Sequence, residues 1–182
     1  MTEFISHSQA GQDKFVYDTL VKPTNYINGT FLDIGCGFPV EINNTYSLER
    51  LGWDGLLIDM NPEFIEQCRR ERTSHAFVRD ATVVDWATLV DTYASRFGRN
   101  IDYLSLDIDD EEGKESKMLI VLRNLLAAGL SFRVITFEHN RYFLGDSVRI
   151  PSREILLNAG YTLAVPDVAN DGLEYEDWWT RD

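Results

Sequence analysis

The stretch FLDIGCGFPV, residues 31–40, begins as an apolar run that contains one acid, Asp33. Two glycines, Gly35 and Gly37, follow with one residue between them. A short run rich in β-branched and aromatic residues predicts a buried strand. Gly35 and Gly37 predict a tight turn directly after that strand, where the backbone can approach a ligand because no side chain intervenes. The stretch therefore predicts a strand, a bend and a ligand site, in that order.

Strand-like and helix-like segments alternate along the rest of the chain. Five short apolar segments predict strands, at residues 30–34, 55–59, 75–79, 101–107 and 132–138. Four segments between them predict helices, at residues 44–51, 62–72, 85–97 and 112–128. This alternation is typical of right-handed crossovers around a buried parallel sheet. It predicts a doubly wound α/β fold.

The two ends of the chain extend this unit. Residues 9–21 predict a leading helix, and Pro151 is expected to introduce a further helix at residues 152–159. Strand-like segments follow at residues 161–165 and 174–180. With 182 residues and no low-complexity linker, we expect one domain spanning residues 1–182, with a lead-in at 1–28 and an α/β core at 29–182.

Composition narrows the possible partners and compartment. The formal net charge of -13 is unfavourable for binding nucleic acid or an anionic membrane surface, because such binding relies on lysine and arginine. The N-terminus lacks the pattern of a secretory signal, and the most apolar stretch, residues 118–130, is too short to cross a bilayer. Cys36 and Cys68 are too few for a disulfide framework. We expect a cytoplasmic protein with a small-molecule partner and an open oligomeric state.

Each predicted strand of the alternating region ends at or just before an acid. These residues are Asp33, Asp59, Asp80, Asp107 and Glu138. In doubly wound sheets, ligands bind beyond the carboxyl ends of the strands, where strand order reverses. A single strand-end aspartate is often only a loop or helix-cap residue. Five acids at one edge favour a ligand site.

The glycine pattern discriminates between nucleotides. A dinucleotide fingerprint would need a third glycine at position 40, which is Val40, and the chain has no phosphate-binding loop ending in Lys-Ser or Lys-Thr. Asp59 lies 59 − 35 = 24 residues after Gly35, close to the offset of about 20 at which an acid binds ribose hydroxyls. An adenosine with a cationic, phosphate-free tail would suit this acidic edge. S-adenosylmethionine has these properties.

Several motifs resemble those of a known family. DIGCG (33–37), Asp59, Asp80-Ala81 and LSLD (104–107) are similar to the motif series of class I S-adenosylmethionine-dependent methyltransferases. SQAGQD (8–13), NNTYSLERLGWDGLLIDMNPEF (43–64), IDYLSLDID (101–109), TFEHN (136–140) and YEDWW (175–179) resemble the FkbM-like methyltransferases. The resemblance implies a Rossmann-like, doubly wound sheet of about seven strands, with the last strand antiparallel.

The resemblance and the residue chemistry together indicate the cofactor-binding residues. Asp59 would bind the ribose, Asp80 and Ala81 the adenine, and the glycine bend the methionine part. Asp33 would reach the cofactor's amino group or serve as a structural cap. Asn44 is a cofactor contact or, slightly favoured, a helix cap. Gln9 and Asp13 would cover the methionine end, and Gln9 could equally be a helix-cap residue. The complete expected set is Gln9, Asp33, Gly35, Cys36, Gly37, Asn44, Asp59, Met60, Asp80 and Ala81.

Catalysis by the expected enzyme would require alignment of donor and acceptor and, for a hydroxyl acceptor, a base. His139 is the candidate base because its ordinary pKa of about 6.5 lies near working pH. It could instead form a structural pair with Glu138. Asp107 is expected to orient the acceptor. The resemblance suggests O-methylation of a small-molecule or saccharide hydroxyl.

Two alternative functions and a metal site remain open. Asp107-Ile108-Asp109 matches the D-x-D pattern of metal-dependent glycosyltransferases, although this match leaves the glycine bend unexplained. A module that binds S-adenosylmethionine without catalysis is also compatible with the sequence. A divalent metal on Asp107 and Asp109 is possible but not favoured. Glu111 and Glu112 suit the first turn of a helix instead.

Overall fold

Seven strands form one mixed sheet in this computed structural model, which describes residues 4–93 and 98–181. They are β1 (Thr30–Ile34), β2 (Asp54–Asp59), β3 (His75–Val78), β4 (Asn100–Leu106), β5 (Ser131–Glu138), β6 (Thr162–Asn170) and β7 (Leu173–Thr180). Their order across the sheet is β3-β2-β1-β4-β5-β7-β6. β7 runs antiparallel to both of its neighbours, β5 and β6, whereas the pairs among β1 to β5 are parallel. This arrangement confirms the predicted fold class.

Helices cover both faces of the sheet. They are α1 (Gln12–Val16), α2 (Tyr46–Arg50), α3 (Pro62–Glu71), α4 (Trp86–Tyr93), α5 (Lys117–Ala127), α6 (Arg141–Leu144) and α7 (Asp146–Asn158). A π-helical turn, Tyr17–Val21, continues α1, and a 3₁₀ turn, Ala81–Val83, follows β3. No helix in the described part of the chain has the length and apolar character needed to span a membrane.

The core has two layers because successive residues of a strand point to opposite faces. Leu32 and Ile34 of β1 pack in one layer with apolar residues of α4, α5 and α7. Phe31 of the same strand packs in the other layer with residues of α1 and α3. Strands buried on both faces read as continuous apolar runs, which is why the sequence predicts them well. The first five strands agree with their predictions to within one residue at each end.

The C-terminal elements differ more from the predictions. The helix expected at residues 152–159 begins at Asp146, so Pro151 lies inside α7 and not before it. Proline removes one backbone donor there. The Ser152 hydroxyl donates to the Arg149 carbonyl at 2.9 Å and so satisfies one acceptor of this turn. β6 continues to Asn170, five residues beyond its predicted end. Residues 94–97 of the helix predicted at 85–97 lie outside the described residues.

The acidic run after β4 does not begin a helix, so the helix-start interpretation of Glu111 and Glu112 was wrong. The chain turns at Gly113, whose φ is 75°, and α5 begins only at Lys117. Ser116 caps this helix by accepting from the Leu119 N–H at 3.1 Å. Glu111 instead pairs with Lys114 and Lys117 on the surface.

Candidate cofactor site

A cavity of about 440 Å³ opens at the carboxyl edge of β1, β2, β3 and β4. β1 is the point where strand order reverses, because the chain adds β2 and β3 on one side and β4 on the other. Such a crevice is the usual ligand site of doubly wound sheets. Of the residues expected in the site, it is lined by Gly35, Gly37, Asp59, Met60, Asp80, Ala81 and Asp107.

Gly35 forms the first half of the bend and packs closely against the chain that follows β4. Its φ is 80°, and its N–H donates to the Ile58 carbonyl at 2.8 Å. A Cβ at this position would lie 1.6 Å from the backbone oxygen of Asp107. Glycine is therefore required here by the close approach of the chain after β4.

Gly37 forms the second half of the bend and is open. Its φ is 56°, and a Cβ there would meet no atom within 4 Å. Its N–H donates to Oδ2 of Asp59 at 3.0 Å. The two glycines thus differ: Gly35 permits contact between strands, whereas Gly37 leaves the bend accessible from the cavity.

Two backbone N–H groups orient the Asp59 carboxylate at the end of β2. Oδ2 accepts from Gly37, and Oδ1 accepts from the Asn61 N–H at 2.7 Å. The side chain is half-buried and lines the cavity. Each carboxylate oxygen can accept two hydrogen bonds. The group therefore retains acceptor capacity for hydroxyl donors of a ligand.

Asp80 and Ala81 lie at the neighbouring strand end. The exposed Asp80 caps the 3₁₀ turn by accepting at Oδ1 from the N–H and the hydroxyl of Thr82, at 2.9 and 2.7 Å. These hydrogen bonds lower the pKa of Asp80. Ala81 is buried and Met60 is exposed at the cavity rim. Asp80 thus has a structural role in the turn and also faces the cavity.

Asp107 closes the cavity on the β4 side. Its N–H donates to the Ile34 carbonyl at 2.9 Å and so continues the pairing of β4 with β1. Burial raises the pKa of its carboxyl group. Asp109 lines the same cavity, and Lys117 donates to the Asp109 backbone carbonyl at 3.2 Å.

Four expected cofactor residues lie outside this cavity's lining: Gln9, and three residues around the bend, Asp33, Cys36 and Asn44. Asp33 is buried and accepts from the Thr45 hydroxyl at 2.6 Å, and burial raises its pKa to about 6. Cys36 is buried beside Cys68. Asn44 donates from its side-chain amide to the Ser105 hydroxyl at 3.0 Å. These contacts are structural supports of the bend.

The favoured helix-cap interpretation of Asn44 was wrong, because the N-cap residue of α2 is Thr45. Oδ1 of Asn43 accepts from the N–H groups of Thr45 and Tyr46 at 3.0 and 2.8 Å, so the neighbouring asparagine binds the start of α2. The Asn43 amide also donates to the Cys36 carbonyl at 3.0 Å. Two adjacent asparagines share the same sequence signal, and only the fold assigns their separate roles.

The N-terminal motif contributes one exposed and one buried residue. Gln9 is exposed and lines a second, smaller cavity beside Glu138. Asp13 is fully buried and accepts from the Ser6 hydroxyl at 2.5 Å and from the His7 N–H at 2.8 Å. Asp13 therefore holds the preceding loop together and does not line the large cavity.

His139 lies away from the large cavity, in a buried ion cluster. Nδ1 accepts from the Arg141 N–H at 3.2 Å, which places the proton of the neutral ring on Nε2. Nε2 lies 3.5 Å from Asp177 Oδ1 and 3.9 Å from Asp167 Oδ1. His139 therefore lies outside the lining of the large cavity, and its ring nitrogens contact Arg141, Asp177 and Asp167 rather than Glu138, the partner that the structural alternative gave it.

The same cluster has the composition of a metal site, since His139, Asp167 and Asp177 bring three potential ligand atoms together. Arg153 donates to both Asp177 oxygens at 2.7 Å, and Arg149 donates to Asp167 at 2.6 Å. These arginines already neutralise the two carboxylates, so the arrangement favours an ion-paired structural cluster.

The sequence analysis missed several side chains that line the large cavity, among them Asn61, Phe64, Arg79, Thr82 and Lys117. Asn61 precedes Pro62 and caps α3, and Phe64 lies in the first turn of that helix. An Asn-Pro step two residues after a strand-end acid is a signal that could have placed both at this edge. Thr82 and Lys117 carry no comparable local signal.

Comparison with known proteins identifies the fold. No family model and no curated sequence matches the chain. Its structure is similar to a TehB-like SAM-dependent methyltransferase from Corynebacterium glutamicum, with a TM-score of 0.56, 19% identity and coverage of 94% of this chain and 88% of that one. It is also similar to magnesium protoporphyrin IX methyltransferase from Synechocystis, with a TM-score of 0.57, 15% identity and coverage of 96% and 79%.

A third similar structure is a sugar N-methyltransferase from Streptoalloteichus, with a TM-score of 0.55, 12% identity and coverage of 99% and 88%. Identities at this level establish the fold alone. The chain thus has the class I methyltransferase fold, with a cavity of about 440 Å³ where the strand order reverses.

Proposed function

We propose that this protein is an S-adenosylmethionine-dependent methyltransferase that binds its cofactor in the large cavity and methylates a hydroxyl of a small molecule or saccharide. The observation that carries the proposal is the contact between Gly37 and Asp59. It joins an open glycine bend to a carboxylate whose remaining acceptor positions are available to a ligand. The proposal agrees with the motif resemblance to FkbM-like methyltransferases.

The described residues fit an adenosine with a cationic tail. Asp59 would bind the ribose hydroxyls, because a carboxylate held by two N–H groups is a rigid, charged acceptor. Asp80, Ala81 and Met60 would surround the adenine. The bend from Gly35 to Gly37 would contact the methionine part, with Asp33, Cys36 and Asn44 supporting it from below and Gln9 near its end. When bound, the cofactor supplies a methyl group attached to a positively charged sulfur.

Methyl transfer needs a base if the acceptor is a hydroxyl. Of the two candidates from the sequence, Asp107 lines the large cavity, whereas His139 is held in the ion cluster. We therefore assign Asp107 to the reacting end of the cavity and give His139 a structural role. We propose no metal in this reaction.

The acidic surroundings favour an uncharged or cationic acceptor over nucleic acid or a membrane surface. The chain carries a formal net charge of -13, and four aspartates line the large cavity against two cationic side chains, Arg79 and Lys117. Cys36 and Cys68 are buried free thiols, which agrees with the proposed reducing cytoplasm.

Titration calorimetry with S-adenosylmethionine, followed by assay of S-adenosylhomocysteine formation with an acceptor panel, tests the proposal. We expect saturable binding and acceptor-dependent product. Asp59→Ala should weaken binding, whereas Asp91→Ala, which removes an exposed carboxylate far from the cavity, should not. Binding without product for any acceptor would support the non-catalytic module. No binding, combined with hydrolysis or transfer from a sugar nucleotide, would support the glycosyltransferase.

A further inference from the structure

Arg72 is a buried cation close to the chain segment that follows the glycine bend. It ends α3 as the C-cap residue, and its side chain has no exposed surface. It lies outside the lining of the large cavity. Arginine is almost never fully buried unless it is paired. The partners of its guanidinium group therefore indicate what the buried charge does.

One arm of the guanidinium group reaches the glycine bend through Asn43. Nη1 of Arg72 donates to Oδ1 of Asn43 at 3.1 Å. The side-chain amide of Asn43 donates in turn to the carbonyls of Cys36 and Phe38, at 3.0 and 2.9 Å. These two residues flank Gly37 in the chain. Because Arg72 is a donor only, it fixes which end of the Asn43 amide faces the bend.

The other arm reaches the end of β1 through Thr45. Nη2 of Arg72 donates to the Thr45 hydroxyl at 3.0 Å. That hydroxyl lies 2.6 Å from Oδ2 of Asp33 and 3.2 Å from Oδ1 of Asn43, so Asp33 is the closer acceptor for its proton. A hydroxyl that accepts from a cation presents its proton to an anion on the other side. Arg72 therefore orients the hydroxyl that holds the Asp33 carboxyl group.

The guanidinium group is itself held in place from several sides. Its Nε lies 3.1 Å from Oε1 of Glu49, which forms an ion pair with it but no aligned hydrogen bond. Glu49 is fixed in turn, because its Oε1 accepts from the Thr73 N–H at 3.0 Å. The rings of Phe31 and Tyr46 lie 5.9 and 5.7 Å from Cζ of Arg72, within the range of cation–π contacts. The donors of Arg72 thus have fixed directions.

Stability alone does not account for a charge in this place. Two buried charges lose their hydration, and well-packed apolar groups of similar volume often stabilise a protein as much or more. What a guanidinium group adds is a rigid, planar set of donors. Two of the donors of Arg72 are directed at the segment after the bend, at Pro39, Asn43 and Thr45.

From this geometry we infer that Arg72 is a positioning residue, which holds Asp33 and the glycine bend in the arrangement that receives the methionine part of S-adenosylmethionine. The inference rests on the proposed function, because it needs the cofactor in the large cavity. It gives each half of the cofactor a separate support. Asp59 and Asp80 would bind the adenosine half, whereas the hydrogen-bond network of Arg72 acts on the other half.

The adenosine half should depend less on this network. The Gly37 N–H joins the bend to Asp59, but Asp59 also accepts from the Asn61 N–H at 2.7 Å. Asp59 therefore keeps one fixed donor if the bend moves. A defect in the network should weaken ligands that carry the methionine part more than ligands that lack it.

Two variants with matched controls interrupt the network. Thr45→Val removes the hydroxyl between Arg72 and Asp33 at nearly constant volume, and Thr45→Ser keeps a hydroxyl there. Arg72→Lys keeps the positive charge but loses the planar fork of donors. Thr136→Val is the control for the first change, at an equally buried threonine of β5. Arg70→Lys is the control for the second, at an exposed arginine in the last turn of α3.

Calorimetry with two ligands measures the effect on each half of the cofactor. S-adenosylhomocysteine carries the amino-acid end, and 5′-methylthioadenosine lacks it, so the ratio of their affinities isolates the methionine part. We expect this ratio to fall about tenfold or more in Thr45→Val and Arg72→Lys, the lower end of the loss for a charged hydrogen bond. Thr45→Ser and the two controls should keep the ratio within about twofold of the wild type.

Urea denaturation separates positioning from a merely structural role. Thr45→Val and Thr136→Val should both lower the midpoint, because each leaves a buried polar group without its partner. Only Thr45→Val should also lower the affinity ratio. An unchanged ratio in Thr45→Val, or an equal loss for both ligands, would overturn the inference and leave the proposed function standing. If Arg72→Lys does not fold, the threonine variants decide. If the wild type binds neither ligand, the proposed function fails.

The double variant Arg72→Lys/Thr45→Val tests whether the two residues act through one network. Changes within one hydrogen-bond network are not additive. We therefore expect the affinity ratio to fall no further in the double variant than in the more affected single variant. Losses that multiply would show that Arg72 does not act through Thr45 and would contradict the inference.

Discussion

The carboxyl edge of the sheet carries acids on both of its halves, but their surroundings differ. On the side of β2 and β3, Asp59 and Asp80 accept from backbone N–H groups and remain partly or fully exposed. On the side of β4, β5 and β7, Asp107, Glu138 and Glu176 lie in a row and face one another. Burial raises the pKa of each member of the second set.

This difference shows that the neighbours of an acid, more than its position at a strand end, determine its chemistry. N–H donors stabilise the ionised form and direct its free lone pairs at a ligand. Adjacent carboxyl groups and burial stabilise the protonated form and create a base of raised pKa. One half of the edge is thus suited to binding hydrogen-bond donors of a ligand, whereas the other half carries buried acids of raised pKa.

Substitutions in the glycine bend, at the boundary between the two halves, should have the largest effect on stability. Gly35→Ala should destabilise the fold by more than about 5 kcal/mol or prevent folding, because its Cβ would collide with the Asp107 backbone oxygen and its φ is 80°. Gly37→Ala should cost only about 1–2 kcal/mol, since it has the positive φ without the collision. Urea denaturation measures both. Equal losses in the two variants would contradict the difference between the glycines.

A third group of acids, Asp167 of β6 and Asp177 of β7, is paired with arginines. Removing an arginine tests how much these ion pairs stabilise the fold. Arg153→Ala should cost about 3–5 kcal/mol, because it leaves the buried charge of Asp177 without its two-pronged partner. Arg153 helps hold the pKa of Asp177 below its ordinary value. Lys14→Ala, which removes one partner of an exposed pair with Asp18, is the control and should cost less than about 1 kcal/mol. Chemical denaturation compares them, and similar losses would argue against a buried cluster.

Asp59 and Asp80 should differ in their importance for the cofactor. Loss of a charged hydrogen-bond partner costs about 1.5–3 kcal/mol, so Asp59→Ala should weaken S-adenosylmethionine binding roughly tenfold to a hundredfold. Asp80→Ala should have a smaller effect, because Asp80 is exposed and engaged in the turn with Thr82. Calorimetry on folded variants measures both affinities. An unchanged affinity in Asp59→Ala would remove this residue from the site.

The raised pKa of a buried acid on the β4, β5 and β7 side predicts how the stability of the protein depends on pH. Because the pKa of Glu176 is raised from 4.5 to about 8, its contribution is fully present below about pH 4.5 and is lost as pH rises towards 8. The melting temperature of the protein without ligand should therefore fall over this range, by about 2–4 °C for each kcal/mol lost.

Glu176→Gln should reduce that fall, since the glutamine oxygen can still accept from Trp178 Nε1, which lies 2.6 Å from the native carboxylate, but does not ionise. Glu154→Gln, at an exposed position, is the matched control and should leave the slope unchanged. Melting curves at several pH values provide the measurement. A wild-type protein whose stability rises between pH 5 and pH 8 would contradict the assignment.

The sequence predictions are accurate for elements that depend on nearby residues and less accurate for elements that depend on contacts between distant segments. β1 through β5 were predicted closely because their apolar runs and flanking turn residues are local signals. The early start of α7 and the length of β6 were missed, since pairing with β7 and packing on the sheet stabilise both against local signals such as Pro151. The same limit applies to Asn43 and Asn44, which are adjacent but have different partners.

By itself, the sequence determined the alternation of strands and helices, the glycine bend after β1 and the presence of acids at the strand ends, because each depends on residues close in the chain. Only the tertiary structure decided which acids meet N–H groups, arginines or one another. That outcome depends on strand order and register, which bring Asp107, Glu138 and Glu176 together across gaps of more than thirty residues. Burial of these neighbouring acids then raises their pKa values, an effect that no single segment of the sequence encodes.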